Sequence, residues 1–162
     1  MNKELLKGLV EQINLELQSA YIYFGMASYL EESGFAGFSH WMKVQVKEEV
    51  SHAMRIYDFL QERGEHIEML PFEKVDVDYD SVLDVWEKSL VHEKFITASI
   101  DKLANLAFDL KDFSAMGMLQ WFVDEQVEEE DHFGGAVAQL QMAEGKGSTM
   151  LMLDREFGRR EG

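Results

Sequence analysis

The chain contains no cysteine and only one proline among its 162 residues. The lack of cysteine excludes a disulfide framework and any zinc site built on thiolates. With one proline and no run of glycine, serine or proline, the sequence lacks the composition of a linker or a disordered segment. Because 46% of the residues are hydrophobic, we expect one folded domain over residues 1–162.

Basic residues are also scarce, with 15 Lys and Arg against 31 Asp and Glu and a net charge of −16. An acidic surface is repelled by nucleic acid and by anionic membranes, so we expect neither as a partner. The sequence has no hydrophobic run long enough to span a bilayer and no apolar N-terminal segment typical of a secretory signal. We therefore expect a cytoplasmic protein, and the charge suits one that collects cations.

What the sequence does contain is helical periodicity in four long segments. The pattern predicts helices over about residues 3–32, 36–63, 81–110 and 115–143. The stretch between the second and third helices contains Pro71 and predicts an extended crossover, and Ser148 is predicted to N-cap a short fifth helix. We therefore predict an all-α fold: a four-helix up-down-down-up bundle with one long crossover and a short C-terminal helix, as in ferritin-like proteins.

Each predicted long helix carries an acidic residue near the middle of its apolar stripe. These residues are Glu16, Glu49, Glu93 and Glu129. Removing an ionised carboxylate from water costs several kcal/mol, and a whole domain has a net stability of only about 5–15 kcal/mol. No Lys or Arg lies near them on the stripes, which leaves protonation or metal binding. Two divalent cations would balance four carboxylates.

His52 follows Glu49 by three residues, so the two side chains lie on adjacent turns and can share one ion. Histidine together with carboxylates suits iron, manganese or zinc. An E-x-x-H pair alone is weak evidence, but together with a central glutamate on each of two other helices it is specific. A set of hydrogen-bonded core or interface acids is the alternative that the residues leave open.

The two halves of the chain match in pattern at an offset of 77 residues. The residues that correspond are Glu16 with Glu93, Glu49 with Gln126, His52 with Glu129 and Glu48 with Glu125. The match predicts a pseudo-two-fold bundle with metals near its axis. We reject a second E-x-x-H pair, Glu129 with His132, because His132 lies about 120° around the helix from Gln126 and off the apolar stripe.

Four motifs, NLELQSAYIY, VKEEVSHAM, HEK around Glu93 and QWFVDEQVEEE, resemble those of the non-haem prokaryotic ferritins, and the likeness covers the whole chain. The resemblance implies an iron-storage protein and ferroxidase. It would oxidise Fe²⁺ to Fe³⁺ with dioxygen or hydrogen peroxide and keep the ferric mineral inside a homo-oligomeric shell of 24 subunits.

The resemblance also implies the residues of the iron sites. For the first site they are Glu16, Glu49 and His52. For the second they are Glu49 as a bridge, Glu93 and Glu129, with Gln126 nearby. A third, oxygen-only iron site of prokaryotic members matches Glu48, Glu125, Glu128 and Glu129. Tyr23 matches a tyrosine beside the centre, where it would be either an electron donor to iron–oxygen species or a packed core residue.

The resemblance does not extend to haem binding. The related bacterioferritins bind haem through a methionine directly after the bridging glutamate, and Val50 stands at that position here. Gln126 in place of the glutamate of a second E-x-x-H also separates the chain from bacterioferritins and rubrerythrins. The absence of cysteine excludes a rubredoxin-type centre.

Two other functions remain open from the residues alone: a di-iron oxidase or peroxidase without storage, and a non-catalytic helical scaffold. We leave His92 out of the site because it points off the apolar stripe. Three other histidines, His40, His66 and His132, are expected at the surface. The three tryptophans are expected in the core or at subunit contacts. The pair Gly134-Gly135 is expected to permit a bend or a close packing contact.

Overall fold

The computed structural model describes residues 1–162 and contains five helices and no strands. Their bounds are α1 Lys3–Glu32, α2 Ala36–Glu62, α3 Val82–Asp109, α4 Phe113–Ala143 and α5 Gly147–Phe157. Helix α1 pairs with α2, and α3 pairs with α4. Pairs such as Gln12–Ser99 and Ser19–His92 show that α1 and α3 run antiparallel. The predicted up-down-down-up bundle is confirmed.

Residues 65–80 form the long crossover, which runs in extended conformation beside α1, as predicted. Gln18 of α1 exchanges two hydrogen bonds with the main chain of Glu73, at 3.0 and 2.8 Å. The crossover also lies so close to Gly25 that a Cβ there would be 2.8 Å from the carbonyl oxygen of Asp76. Among the five helices, none is both long and apolar enough to cross a membrane.

Two predicted helix ends are wrong. Ser148 does not cap α5, because the turn formed by Glu144 and Gly145, both with positive φ, lets the helix begin two residues earlier than predicted, at Gly147. Helix α4 begins at Phe113 instead of about residue 115. The Asp112 side chain accepts a hydrogen bond from the main-chain N–H of Ala115 and so caps the helix earlier than the periodicity indicated.

Two separate hydrophobic clusters fill opposite ends of the bundle. The first contains 17 buried residues and includes Trp41 and Trp86, and the second contains 13 and has Trp121 packed against it. The tryptophans therefore belong to the cores, as expected. Of the two roles expected for Gly134-Gly135, a bend or a close packing contact, the contact is absent within the chain, since a Cβ on either glycine would meet no atom within 4 Å.

Candidate metal centre

A belt of buried polar side chains separates the two hydrophobic clusters, and all four long helices contribute to it. The six predicted residues of the di-iron site are each at most 3% exposed: Glu16, Glu49, His52, Glu93, Gln126 and Glu129. The predicted burial of the four acids is thus confirmed. Because the bundle places these residues between two dry cores, their charges have little water to solvate them.

Glu16, Glu49 and His52 form one compact group of potential metal ligands in the belt. His52 Nδ1 lies 3.5 Å from Glu49 Oε2 and 3.9 Å from Glu16 Oε2, distances at or beyond the upper limit for a hydrogen bond. Ligand atoms that bind the same metal ion at about 2.0–2.2 Å lie about 3–4 Å from one another. The two distances from His52 Nδ1 fall in that range. The three donor atoms all lie within 4.8 Å of each other.

Glu16 Oε2 gives a second indication that this group fits a metal ion. The atom is buried and has no hydrogen-bond partner, while the other oxygen, Oε1, accepts from Gln12 Nε2 at 2.8 Å. A buried acceptor without a donor costs about 1–3 kcal/mol. A cation between Glu16, Glu49 and His52 would remove that cost, and carboxylate with imidazole suits iron or zinc.

Amide side chains hold the remaining acids in place. Gln126 Nε2 donates to Glu93 Oε2 at 3.2 Å and to the Glu93 carbonyl at 3.3 Å. Gln45 Nε2 donates to Glu49 Oε1 and Glu129 Oε2, each at 2.9 Å. One amide therefore joins the acid proposed as the bridge to the acid on α4. Gln126 lies beside Glu93, as the resemblance implied.

The residues matched to a third site are only partly brought together. Glu125 Oε1 lies 3.8 Å from His52 Nε2, and His52, Glu125 and Glu129 form a second group of potential ligands. Glu48 instead makes an ion pair with Arg160. Glu128 is exposed and makes neither a hydrogen bond nor an ion pair within the chain. Of the four residues matched to the third site, only Glu125 and Glu129 therefore lie near His52.

Burial shifts the pKa values of the acids in the belt upward. Burial, followed by repulsion from Glu49, raises the pKa of Glu16 well above its usual value. Burial and repulsion from Glu93 and Glu129 do the same to the pKa of Glu49, and burial raises the pKa of Glu93. Burial and the Glu93 charge raise the pKa of Glu129 to about 8. Without metal, Glu129 therefore keeps its proton at neutral pH.

Tyr23 belongs to the first hydrophobic cluster and lies beside Glu93. Its hydroxyl donates a short hydrogen bond to Glu93 Oε1, and its ring stacks on Phe133 with centroids 5.5 Å apart. Burial raises the pKa of the phenol well above 10, so the hydroxyl keeps its proton and remains a donor. The residue is both packed in the core and hydrogen-bonded to a proposed ligand, so neither of its two expected roles excludes the other.

His92, which was predicted to lie outside the site, contacts Ser19 and Tyr23. It lies at the seam of α1 and α3, edge-on to the Tyr23 ring, with centroids 6.0 Å apart. Its Nε2 lies 2.7 Å from Ser19 Oγ, and since Ser19 Oγ donates to the carbonyl of Leu15, Nε2 must be the donor. Burial lowers the pKa of His92 to about 4. The three histidines expected at the surface are exposed.

The supporting amides were also missed. Gln12 and Gln45 each lie four residues before a belt glutamate, in the pattern Q-x-x-x-E, and each donates to that glutamate. This spacing places amide and acid on the same helix face, so it was a usable signal. The absence of Lys and Arg was inferred for Glu16, Glu49, Glu93 and Glu129 only, and the pairing of Glu48 with Arg160, near the end of the chain, was not anticipated.

Fold and site together define a four-helix-bundle protein with a buried carboxylate–histidine cluster that could hold a metal ion, and comparisons with known proteins agree. The profile of the ferritin-like domain family matches residues 6–143. A bacterial non-heme ferritin of Staphylococcus epidermidis is 34% identical over 160 residues, which cover 99% of this chain and 96% of that protein. A Staphylococcus aureus protein of the same name is 32% identical, with the same coverage.

Solved structures show the same relationship. An open-pore ferritin from the archaeon Archaeoglobus fulgidus superposes with a TM-score of 0.98 at 38% identity, covering 99% of both chains. A structure described as a humanized archaeal ferritin has a TM-score of 0.98 at 39% identity and covers all of this chain and 99% of the other. The chain belongs to the ferritin-like domain family, among the non-haem prokaryotic ferritins. It is an iron-storage protein with ferroxidase activity.

Proposed function

We propose that each chain, folded as one domain over residues 1–162, binds two Fe²⁺ ions as substrate in the polar belt. The first ion would be held by Glu16, Glu49 and His52. The second would be held by Glu49, Glu93 and Glu129. Each Fe²⁺ loses one electron to dioxygen or hydrogen peroxide, and the Fe³⁺ then moves on to the stored mineral.

The observation that carries this proposal is the group of Glu16, Glu49 and His52. The ligand atoms of this group are spaced so that they can share one metal ion. The buried Oε2 of Glu16 accepts no hydrogen bond. The second position is supported by Gln45, whose amide donates to both Glu49 and Glu129, and by the charge of Glu93, which is close enough to raise the pKa of Glu49.

The side chains around the ions have separable tasks. The acids must release their protons when Fe²⁺ binds, because an ionised carboxylate is the better ligand and the cation offsets its burial. Gln12, Gln45 and Gln126 donate to carboxylate oxygens and so set the direction of the other oxygens. Tyr23 does the same for Glu93, and its buried phenol is close enough to supply an electron to the oxidation.

We further propose a homo-oligomeric shell of 24 chains in the cytoplasm, which stores the mineral, and a third iron position at Glu48, Glu125, Glu128 and Glu129. Several large hydrophobic residues are more than half exposed on the outer faces of the helices, and shell formation would bury them: Phe24, Phe95, Phe108, Phe113, Val127 and Met142. The ferritins to which this chain is similar support an assembly of this kind.

Glu49→Ala tests the site directly, because this residue is assigned to both ions. We expect anaerobic titration with Fe²⁺ to show loss of tight binding at both positions, and stopped-flow absorbance to show ferrous oxidation at least about tenfold slower. Glu62→Ala is the matched control, since Glu62 is an exposed acid on the same helix. Oxidation by Glu49→Ala at the wild-type rate would refute the assignment.

A further inference from the structure

The residues after α5 do not extend into solvent. This C-terminal tail, Gly158–Gly162, returns along the outer surface of α2. A Cβ on Gly158 would be 3.0 Å from Gly37 Cα, and Gly162 lies against the side chain of Val44. Midway between them, His40 Nε2 donates to the carbonyl of Arg160 at 2.9 Å. The C-terminal tail therefore contacts α2 at three points that span two helical turns.

Arg160 is the one residue of the tail that reaches the acids. Its guanidinium lies over the Trp41 ring, 3.7 Å from the centroid. Nη1 donates to Gln45 Oε1 at 2.9 Å, and Nη2 donates to Glu48. The side chain is 15% exposed, so it is a largely buried charge with a fixed direction. Stacking and a two-pronged hydrogen bond are the contacts that distinguish arginine from lysine.

Gln45 connects Arg160 to the proposed metal ligands. Because the guanidinium can only donate, it requires the amide oxygen of Gln45, and the amide nitrogen must then point the other way. That nitrogen donates to Glu49 and Glu129. Arg160 thus neutralises Glu48, an acid assigned to the third iron position, and orients the amide that binds two ligands of the main centre.

We propose that Arg160 is a tethered cation that competes with iron for Glu48, so that a third cation binds fully only when the C-terminal tail releases this side chain. The proposal rests on the proposed function, since it assumes the third position near Glu48, Glu125 and Glu129. A carboxylate oxygen bound to a guanidinium is not available to a metal ion, and the positive charge repels that ion. In this arrangement Arg160 is a positioning residue that controls the order in which ions bind.

The test compares Arg160→Ala with Arg159→Ala in the metal-free assembled protein. The two arginines are neighbours and the charge change is the same, but Arg159 is exposed and makes no ion pair. Zn²⁺ is added first to fill the two main positions, and Tb³⁺, an oxygen-binding ion without redox chemistry, is then titrated. Calorimetry counts the ions, and luminescence excited through tryptophan reports Tb³⁺ bound near Trp41 and Trp121, which lie beside Arg160 and His52.

We expect Arg160→Ala to bind one Tb³⁺ per chain about tenfold more tightly than wild type. The charge-assisted hydrogen bond from Arg160 to Glu48 is then absent, so it no longer competes with Tb³⁺ for the Glu48 carboxylate. Arg159→Ala should match wild type. Adding Glu125→Gln to Arg160→Ala should abolish the gain, which places the ion at this position. Arg160→Lys should be intermediate, because lysine keeps the charge but cannot bond Gln45 and Glu48 in the same two-pronged way.

A second measurement does not depend on any substitution. In wild type, Tb³⁺ added after Zn²⁺ should expose the C-terminal tail and speed its removal by carboxypeptidase. Equal Tb³⁺ affinity in Arg160→Ala and Arg159→Ala, or no change in digestion, would overturn the proposal. If the Arg160 proposal fails but every variant still binds two Zn²⁺ per chain, the proposed function stands. If wild type does not bind Zn²⁺, the proposed main centre itself is wrong.

Discussion

At the scale of single residues, carboxylates are concentrated in a volume with almost no water. Burial raises the pKa values of these carboxylates, and electrostatic repulsion from Glu49, Glu93 and Glu129 raises them further. Such an arrangement is unfavourable for a protein that has to keep these groups charged and favourable for one that binds cations there. The same acids should therefore make the metal-free protein sensitive to pH.

We predict that the metal-free protein loses stability as pH rises from about 4.5 to about 8. In that interval an unfolded Glu129 is deprotonated, whereas the folded residue, with a pKa of about 8, keeps its proton. Unfolding then releases a proton, so higher pH lowers the free energy of unfolding, by up to about 1.4 kcal/mol per pH unit for each such group. Above about pH 8, Glu129 contributes no further loss.

Thermal unfolding of the protein in chelator, followed over that pH range, measures this slope. Glu129→Gln should flatten it, while Glu62→Gln, an exposed acid, should leave it unchanged. Zn²⁺ binds the ionised acids and should reduce or reverse the slope. A melting temperature of the metal-free protein that rises steadily between pH 5 and 8 would show that these acids are charged in the folded state.

A second prediction concerns the difference between the two proposed main positions. His52 belongs to the first position only, and the second has only oxygen donors. Because imidazole binds iron well, we expect the second position to hold Fe²⁺ more weakly and exchange it faster. Anaerobic calorimetric titration should resolve two affinities, and His52→Ala should lose mainly the tighter one. Equal and tight binding at both positions in wild type would disprove this expectation.

At the scale of helices, the docking of α5 on α2 decides where the C-terminal tail lies. Phe35 precedes α2 and makes no capping hydrogen bond through its side chain. Asp154 of α5 supplies the missing acceptor, because its Oδ1 accepts from the main-chain N–H of Phe38 at 2.8 Å. A carboxylate at a helix N-terminus also interacts favourably with the helix dipole. The two helices meet so closely that only glycine fits at residue 37.

We predict that Gly37→Ala destabilises the protein by about 1–3 kcal/mol, although alanine is the better helix former by about 1 kcal/mol. The added Cβ would overlap the carbonyl oxygen of Asp154, so α5 must move. Gly117→Ala is the matched control: it is also in a helix, and its Cβ would meet no atom within 4 Å. Denaturant unfolding should show opposite signs for the two variants, and a neutral Gly37→Ala would contradict the packing described.

Helix positions were largely predictable, since hydrophobic periodicity extends over whole helices. The bounds of α1 agree with the prediction, and those of α2 and α3 differ by about one residue. The start of α5 was not predictable, because it depends on two residues with positive φ, Glu144 and Gly145, that no period reveals. Nor could the contact of Asp154 with α2 be predicted, since 116 residues separate it from Phe38 along the chain.

At the scale of the whole molecule, the function depends on assembly as well as on the site. We predict that light scattering gives a mass of about 450 kDa, which is that of about 24 chains of 18.7 kDa. Aerobic Fe²⁺ loading followed by sizing should place iron in the same peak, well beyond the two or three ions per chain that the proposed sites hold. Saturation at that small number would favour a di-iron oxidase without storage.

The amino-acid sequence by itself determined the bundle, its connectivity and the inward acids, because these depend on helical periodicity and on the local cost of burying charge. Tertiary structure alone decided how the acids are supported. Gln45 joins Glu49 to Glu129, and Arg160 reaches Glu48 from 112 residues away. Such contacts join segments distant in the chain, and only the packing of the helices and the return of the tail along α2 bring them into reach.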